Sequence, residues 1–306
     1  SGADVVLNWS QVLDMRGIVT PAIIYEHGSA WENYAPEQLS QCYQNIHHVI
    51  AVSKAAKRML QLHHGVNKPV TVIENTVFQQ PHVATQARQL PTGRLMLGAA
   101  GRLVSRKNFA VLIEAVALLR AQGCEVDLQI AGTGPDTEKL QQQIQRLQLQ
   151  EHIALLGFVQ DMDGFYQQCD VFVCPSIWES YGLVAIEAFA AGLPVVGANT
   201  DGLPEVVSDG VNGVCVEPRW DSATYTSAMQ ETASFANEVS YQAEQDALMA
   251  QKSLSPHDLA VAIKSLLDHP EQYHQMSVAA LQAASDIKSY QQLADAVICS
   301  VKEACK

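Results

Sequence analysis

The chain has little positive charge: 19 Lys and Arg stand against 32 Asp and Glu in 306 residues, a formal net charge of −13. Nucleic-acid affinity rests on basic patches that displace counterions, so this balance argues against a phosphate-backbone binder. No apolar run approaches the ~20 residues that a bilayer span needs. Mean hydropathy near zero sets the chain apart from integral membrane proteins and from disordered ones. The seven cysteines (Cys42, Cys124, Cys169, Cys174, Cys215, Cys299, Cys305) are odd in number and form no C-x-x-C. They read as reduced thiols of a cytosolic protein, not as a disulfide or zinc framework. His47–His48 and His63–His64 are adjacent pairs, which lack the i, i+4 spacing that puts two imidazoles on one helix face. No G-x-G-x-x-G is present, so a dinucleotide fingerprint is unsupported. No leader-like segment or initiator Met opens the chain, and its Ser-Gly-Ala-Asp start reads as a fragment or a processed end.

What is present is an alternation of short apolar runs with helical stretches, the pattern of parallel sheets covered by helices on both faces. The expected strands are Val5–Leu7, Ala22–Tyr25, Val49–Val52, Val70–Ile73, Leu95–Ala99, Val126–Ile130, Ile153–Leu155, Val171–Cys174, Pro194–Val196 and Gly213–Val216. Nearly all lack polar/apolar alternation, as doubly covered strands should. Gln79–Arg94, polar and carrying Pro81, Pro91 and Gly93, is the best linker. It divides an amino-terminal domain, residues 1–92 with the linker, from a carboxy-terminal domain of residues 93–285, followed by a helix over 286–306. The Gln/Ala/Ser-rich stretch at 219–253 reads as an insertion, helical or mobile, without strands. Amphipathic helices are expected after Pro256, most clearly Leu259–Leu267 and Ile287–Val301.

Two runs carry chemistry. In Pro175–Gly197 a strand ends at Pro175, a loop carries Glu179, and Gly182 opens a helix that stops at Gly192. The amides of Tyr181, Gly182 and Leu183 at that helix start would form an anion site, because free N–H groups and the helix dipole both point there. Glu179 and Glu187 flank the site, placed to accept hydrogen bonds from hydroxyls on either side of a bound phosphate. That suits a nucleotide-sugar, with a ribose on one side and a hexose on the other. Either glutamate alone reads as a dipole complement; with Gly182, Gly192 and Pro194 in place, the pair reads as a site. In Gly98–Asn108 a strand runs into a glycine turn and then supplies Arg102 and Lys107, two cations at the carboxyl edge of a parallel sheet, placed to neutralise a diphosphate. Arg106 reads as solvated charge. Asp161-Met-Asp163 mimics a D-x-D metal motif, but its place before a helical run explains it as a helix cap and a first-turn acid.

These runs resemble the carboxy-terminal domain of family 4 retaining glycosyltransferases of the GT-B fold, which implies α/β architecture with two Rossmann-like domains. The matching segments are Gly101–Asn108 (G-R-L-x-x-x-K-N), Ile130–Pro135, Leu156–Val159, Glu179–Glu187 (E-x7-E) and Asp201–Gly213. Weaker matches are Tyr25–Gly28, Ile50–Lys54 and Val72–Val77. The resemblance implies Arg102 and Lys107 on the donor diphosphate, Glu187 on the ribose, Glu179 at the donor sugar, and the amides around Gly182 and Leu183 at the distal phosphate. Gly157 to Val159 would lie against the base, and His27 would be the active-site histidine. It also implies a UDP- or GDP-linked donor, no metal cofactor, no covalent intermediate, and a glycan or lipid-linked acceptor. The setting would be bacterial surface polysaccharide or lipopolysaccharide synthesis, in the cytoplasm or at the inner membrane face, with peripheral membrane contact. One departure stands out: residues 1–20 lack the family's glycine-rich first turn, so the amino-terminal domain reads as incomplete and the chain as a weak or inactive transferase. Competing readings are a non-catalytic nucleotide-sugar-binding fragment and another GT-B enzyme such as a nucleotide-sugar 2-epimerase.

Overall fold

The computed structural model describes residues 4–9, 20–28, 36–78, 81–230, 235 and 238–305. Two parallel sheets organise them. The first has the order β1-β2-β3-β4, from β1 (Val6–Trp9), β2 (Ala22–Glu26), β3 (His48–Ala51) and β4 (Val70–Val72). β2 is buried along its whole length, which explains its unbroken apolar sequence. Helices α1 (Pro36–Gln44) and α2 (Lys54–Leu62) complete this unit. α2 starts where Ser53 Oγ accepts from the Ala56 amide at 2.9 Å, and it buries Ala55, Ala56, Met59 and Leu60.

The second sheet has the order β10-β9-β8-β5-β6-β7 and is parallel throughout. Its strands are β5 (Leu95–Ala100), β6 (Val126–Ala131), β7 (Ile153–Gly157), β8 (Val171–Cys174), β9 (Val195–Ala198) and β10 (Gly213–Val216). The crossovers α3 (Phe109–Ala121), α4 (Thr137–Arg146), α5 (Met162–Gln167) and α6 (Leu183–Ala190) cover it. The chain runs outward from β5 to β7 and then returns to add β8, β9 and β10 on the other side. The strand order therefore reverses between β5 and β8. In open parallel sheets, ligands bind outside the carboxyl ends of the strands at such a switch point.

All ten expected strands form. Residues 81–94 run without helix or strand along the second unit. There Arg88 donates to the carbonyls of Ala191 (3.0 Å), Tyr166 (3.3 Å) and Gln167 (3.2 Å). Residues 79 and 80 lie outside the described residues.

The 219–253 stretch differs from expectation. After α7 (Ser222–Met229) it forms an antiparallel hairpin of β11 (Val239–Gln242) and β12 (Ala247–Ala250). Such short strands hold through docking rather than propensity. Val239 and Leu248 pack on the first unit's core, and Arg58 of α2 reaches Asp246 at the hairpin turn with two hydrogen bonds, 2.7 and 2.8 Å. The carboxy-terminal helices are α8 (Pro256–Asp268), α9 (Pro270–Ser285) and α10 (Tyr290–Ala304). The expected helix from Ile287 starts only at Tyr290, because Ser289 caps it in a reciprocal capping box with Gln292. α10 returns to the first unit, where Leu293, Ala296 and Val297 join its core. Among the described residues, no helix is long and apolar enough to cross a membrane.

Candidate active site

The site grows from the two loops at the switch point. After β5, Gly101 turns the chain into a short 3-10 segment, Ser105–Lys107. Asn108 then adopts a left-handed conformation (φ 60°) and directs its amide nitrogen to Pro175 O (3.1 Å) and Ser253 Oγ (2.9 Å). Its side chain thus ties the loop after β5 to the loop after β8, a role the sequence reading did not give it. Lys107 Nζ meets Glu179 Oε2 at 2.5 Å, with both side chains nearly buried, 13% and 12% exposed. Burial opposes the charge on Lys107, but the Glu179 carboxylate outweighs it and raises the lysine pKa, so the ammonium stays charged at neutral pH.

Arg106 is more than solvated charge: its guanidinium lies 4.6 Å from the ring centroid of buried Trp178. Its carbonyl accepts from the Ile177 amide at 2.8 Å, a second clamp between the loops. Arg102 stands exposed on the same turn.

Gly182 caps α6 at φ 100°, and a Cβ there would come within 2.8 Å of Leu203 Cδ1. Only glycine meets both demands. Tyr181 precedes this cap, and the amide of Leu183 opens the helix. Glu187 lies in the second turn, half-buried, and accepts from Tyr166 Oη at 2.7 Å. Burial raises the Glu187 pKa, and the Tyr166 hydrogen bond opposes that rise. Glu187, Tyr166 and Asp163 line two adjoining depressions of about 340 and 360 Å³, the first bounded by Arg88 and the second by Phe78, Pro81 and Gln160. Lys107 thus pairs with Glu179 just before the α6 start, and Glu187 pairs with Tyr166 in the second turn of that helix.

The 157–160 segment borders the Glu187 side. Gly157 ends β7 at φ 70°, Val159 packs on the apolar cluster around Phe165 and Phe189, and Gln160 lines the second depression. Asp161 caps α5 by accepting from the Gly164 amide at 2.9 Å, and Asp163 is that helix's first-turn acid.

His27 follows β2 in the first unit and stacks against Trp9 (centroids 4.9 Å apart, 25° between planes), with Tyr25 at 4.4 Å. Burial lowers its pKa, which favours a neutral imidazole at neutral pH. Its turn is fixed by Glu26, whose Oε1 accepts from the Gly28 amide at 2.7 Å. Gly28 itself abuts the second unit: a Cβ there would lie 2.3 Å from Ser180 Cβ. The Tyr25–Gly28 segment thus closes on the residue after Glu179, bringing the His27 turn against the switch-point loops. Sequence reasoning also missed Asp201, φ 48° and buried, whose pKa burial pushes up to about 7. Its Oδ1 accepts from the Tyr241 amide (2.8 Å), its amide donates to Tyr241 O (3.0 Å), and the next residue, Gly202, donates to Glu179 O (2.8 Å).

Comparison with known proteins bears on this geometry. Residues 83–234 match the family model described as Glycosyl transferases group 1, and residues 2–78 match Glycosyltransferase Family 4. The chain is 36% identical over 126 residues to an uncharacterized glycosyltransferase of Methanocaldococcus jannaschii, covering 40% of this chain and 32% of the relative. It is 34% identical over 153 residues to the D-inositol 3-phosphate glycosyltransferase of Arthrobacter sp., covering 47% and 36%. It thus spans about a third of the length of these relatives. Among solved structures it superposes on the Anabaena protein HepE in complex with UDP with a TM-score of 0.71 at 20% identity, covering 93% of this chain and 72% of that one. The sucrose-phosphate synthase of Thermosynechococcus elongatus gives a TM-score of 0.74 at 17% identity, covering 99% and 74%. The chain thus carries a group 1 glycosyltransferase domain over residues 83–234 and a family 4 glycosyltransferase domain over residues 2–78, arranged as the two Rossmann-like units of the GT-B fold.

Proposed function

We propose that this chain moves a sugar from a nucleotide-sugar donor to a glycan or lipid-linked acceptor, with retention at the anomeric carbon, in the synthesis of surface polysaccharide. The observation that carries the reading is the buried Lys107–Glu179 pair at the switch point, set beside the α6 start and closed over by the His27–Gly28 turn. The UDP named in the HepE structure makes a UDP-sugar the first donor to test.

In this reading Lys107 and Arg102 meet the diphosphate charge, and the amides around Tyr181, Gly182 and Leu183 take the distal phosphate. Glu187, held by Tyr166, accepts from the ribose hydroxyls, while Gly157 to Val159 border the base. Glu179 contacts the donor sugar. As the glycosidic bond breaks, charge grows on the leaving phosphate, and pre-placed cations stabilise it without reorganising. The departing phosphate takes the acceptor proton on the face it leaves. A neutral His27 offers the reacting carbon a polar partner without adding positive charge. No side chain is assigned as a nucleophile, and the protein's own cations take the part that a metal would play.

Calorimetric titration with UDP-, GDP- and ADP-glucose tests this, followed by an assay of donor hydrolysis. The expected result is saturable binding selective among the three bases, with slow hydrolysis of the bound donor. Failure of all three to bind contradicts the reading.

A further inference from the structure

The hairpin that departs from the sequence expectation builds a cavity of its own. About 480 Å³ lies between β11–β12 and the carboxyl ends of β9 and β10, within the range of roughly 300–1,000 Å³ usual for small-molecule sites. We propose that this cavity is a carbohydrate subsite that takes a neutral, hydroxyl-rich segment of the acceptor, a role that rests on the glycosyltransferase reading above.

Charge narrows the ligand first. Glu217 and Glu244 line the cavity against a single cation, Lys252, so a phosphate or other anion meets net repulsion. Carboxylates accept hydrogen bonds from hydroxyls, and the amide of Gln242 can donate as well as accept. Pro218 and Met249 add apolar surface suited to the C–H face of a sugar ring.

Unmet hydrogen-bonding capacity is the second observation. Ser240 is 3% exposed and lines the cavity, yet its Oγ has no hydrogen-bond partner among the described residues. Buried polar groups are nearly always satisfied, so an orphan hydroxyl at a cavity wall points to a ligand that satisfies it.

The walls are fixed in advance, as a binding site requires. Asp201 holds both backbone groups of Tyr241, and Gln242 Nε2 donates to Asn199 O at 3.2 Å. The hairpin turn is tied to α2 through the Arg58–Asp246 pair. The position also fits an acceptor role. Thr200 lines the cavity two residues before Gly202, whose amide donates to Glu179 O. A glycan seated here would extend toward the candidate reaction centre.

Saturation-transfer NMR with maltotriose and triacetylchitotriose, each with glucose 6-phosphate as the charged control, tests the subsite on the full chain. One of the two neutral trisaccharides should show transfer and glucose 6-phosphate should not. Ala250→Trp, which fills the cavity from an exposed strand position, should weaken that trisaccharide at least fivefold and leave UDP affinity within twofold. Ser240→Ala, a smaller change that spares the hairpin, should weaken it measurably as well. Absence of transfer from both trisaccharides, or binding unaltered in both variants, overturns the subsite. A parallel UDP titration separates the two ideas: a chain that binds UDP but neither trisaccharide loses only the subsite, and one that does not bind UDP loses the donor reading also.

Discussion

Lys107 and Glu179 can be separated into structural and functional parts by a double-mutant cycle. The two side chains are 13% and 12% exposed and meet at 2.5 Å, so neither charge is well solvated on its own. Lys107→Met leaves the Glu179 carboxylate facing buried Cys174 and Ser176 without its cation. Removing one partner of a buried pair costs about 3–5 kcal/mol, because the remaining charge stays desolvated. Glu179→Gln should cost a similar amount for the converse reason. The double variant Lys107→Met/Glu179→Gln removes both charges, and exchanging a buried ion pair for neutral residues of similar volume is often close to neutral. Its cost should therefore fall well short of the sum of the singles, so that the coupling recovers most of the roughly 6–10 kcal/mol the two singles cost together. Urea unfolding followed by tryptophan fluorescence reads these differences as midpoint shifts, with Trp178 next to the pair. The folded double variant should still bind a nucleotide-sugar at least tenfold more weakly than the wild type. Singles that each cost less than about 1 kcal/mol, or a double variant that costs their sum, would mean that the two charges are not a coupled buried pair.

Other consequences follow from single positions. Asp201 has its pKa raised by burial from 3.8 to about 7, so the folded state holds a proton that the unfolded state releases. Its contribution is full below about pH 4 and is lost as pH rises through 7, on the order of 4 kcal/mol in total. Asp201→Asn should thus flatten this part of the stability–pH curve and exceed the wild type in stability at pH 8, as thermal melts across that range would show; a curve parallel to the wild type contradicts it. Gly182→Ala forces a left-handed alanine against Leu203 and should cost about 1–2 kcal/mol from backbone strain alone, with a matching drop in the urea midpoint. Arg58→Ala should raise amide exchange in β11 and β12 while leaving β5–β8 protected, which exchange mass spectrometry would resolve.

Much of this architecture is legible in the sequence because doubly covered strands announce themselves. Runs such as Val126–Ile130 and Val171–Cys174 have no exposed face to encode, so they appear as plain apolar blocks bounded by polar turns. Gly182 and the cations of Gly101–Asn108 are equally visible, since a left-handed cap and a loop cation are local demands. What stays hidden depends on distant partners. The β11–β12 hairpin is short and polar, and it is held by α2, nearly two hundred residues earlier. Asp201 looks like a turn residue until Tyr241 is brought onto it. The Glu187–Tyr166 pair, 21 residues apart, likewise needs α5 and α6 to be packed side by side. The D-G signal at 201–202 and the lone Tyr166 before Cys169 carry no periodicity that would mark them.

In the proposed donor pose, Glu187 holds the ribose of a nucleotide whose diphosphate sits at the α6 start. Calorimetry of UDP and of inorganic pyrophosphate, on the wild type and on Glu187→Ala, tests it most directly. Loss of a hydrogen bond to a charged acceptor, about 1.5–3 kcal/mol, should weaken UDP roughly tenfold or more and leave pyrophosphate unchanged. Equal UDP affinity in the two proteins, or a parallel loss for pyrophosphate, would contradict it.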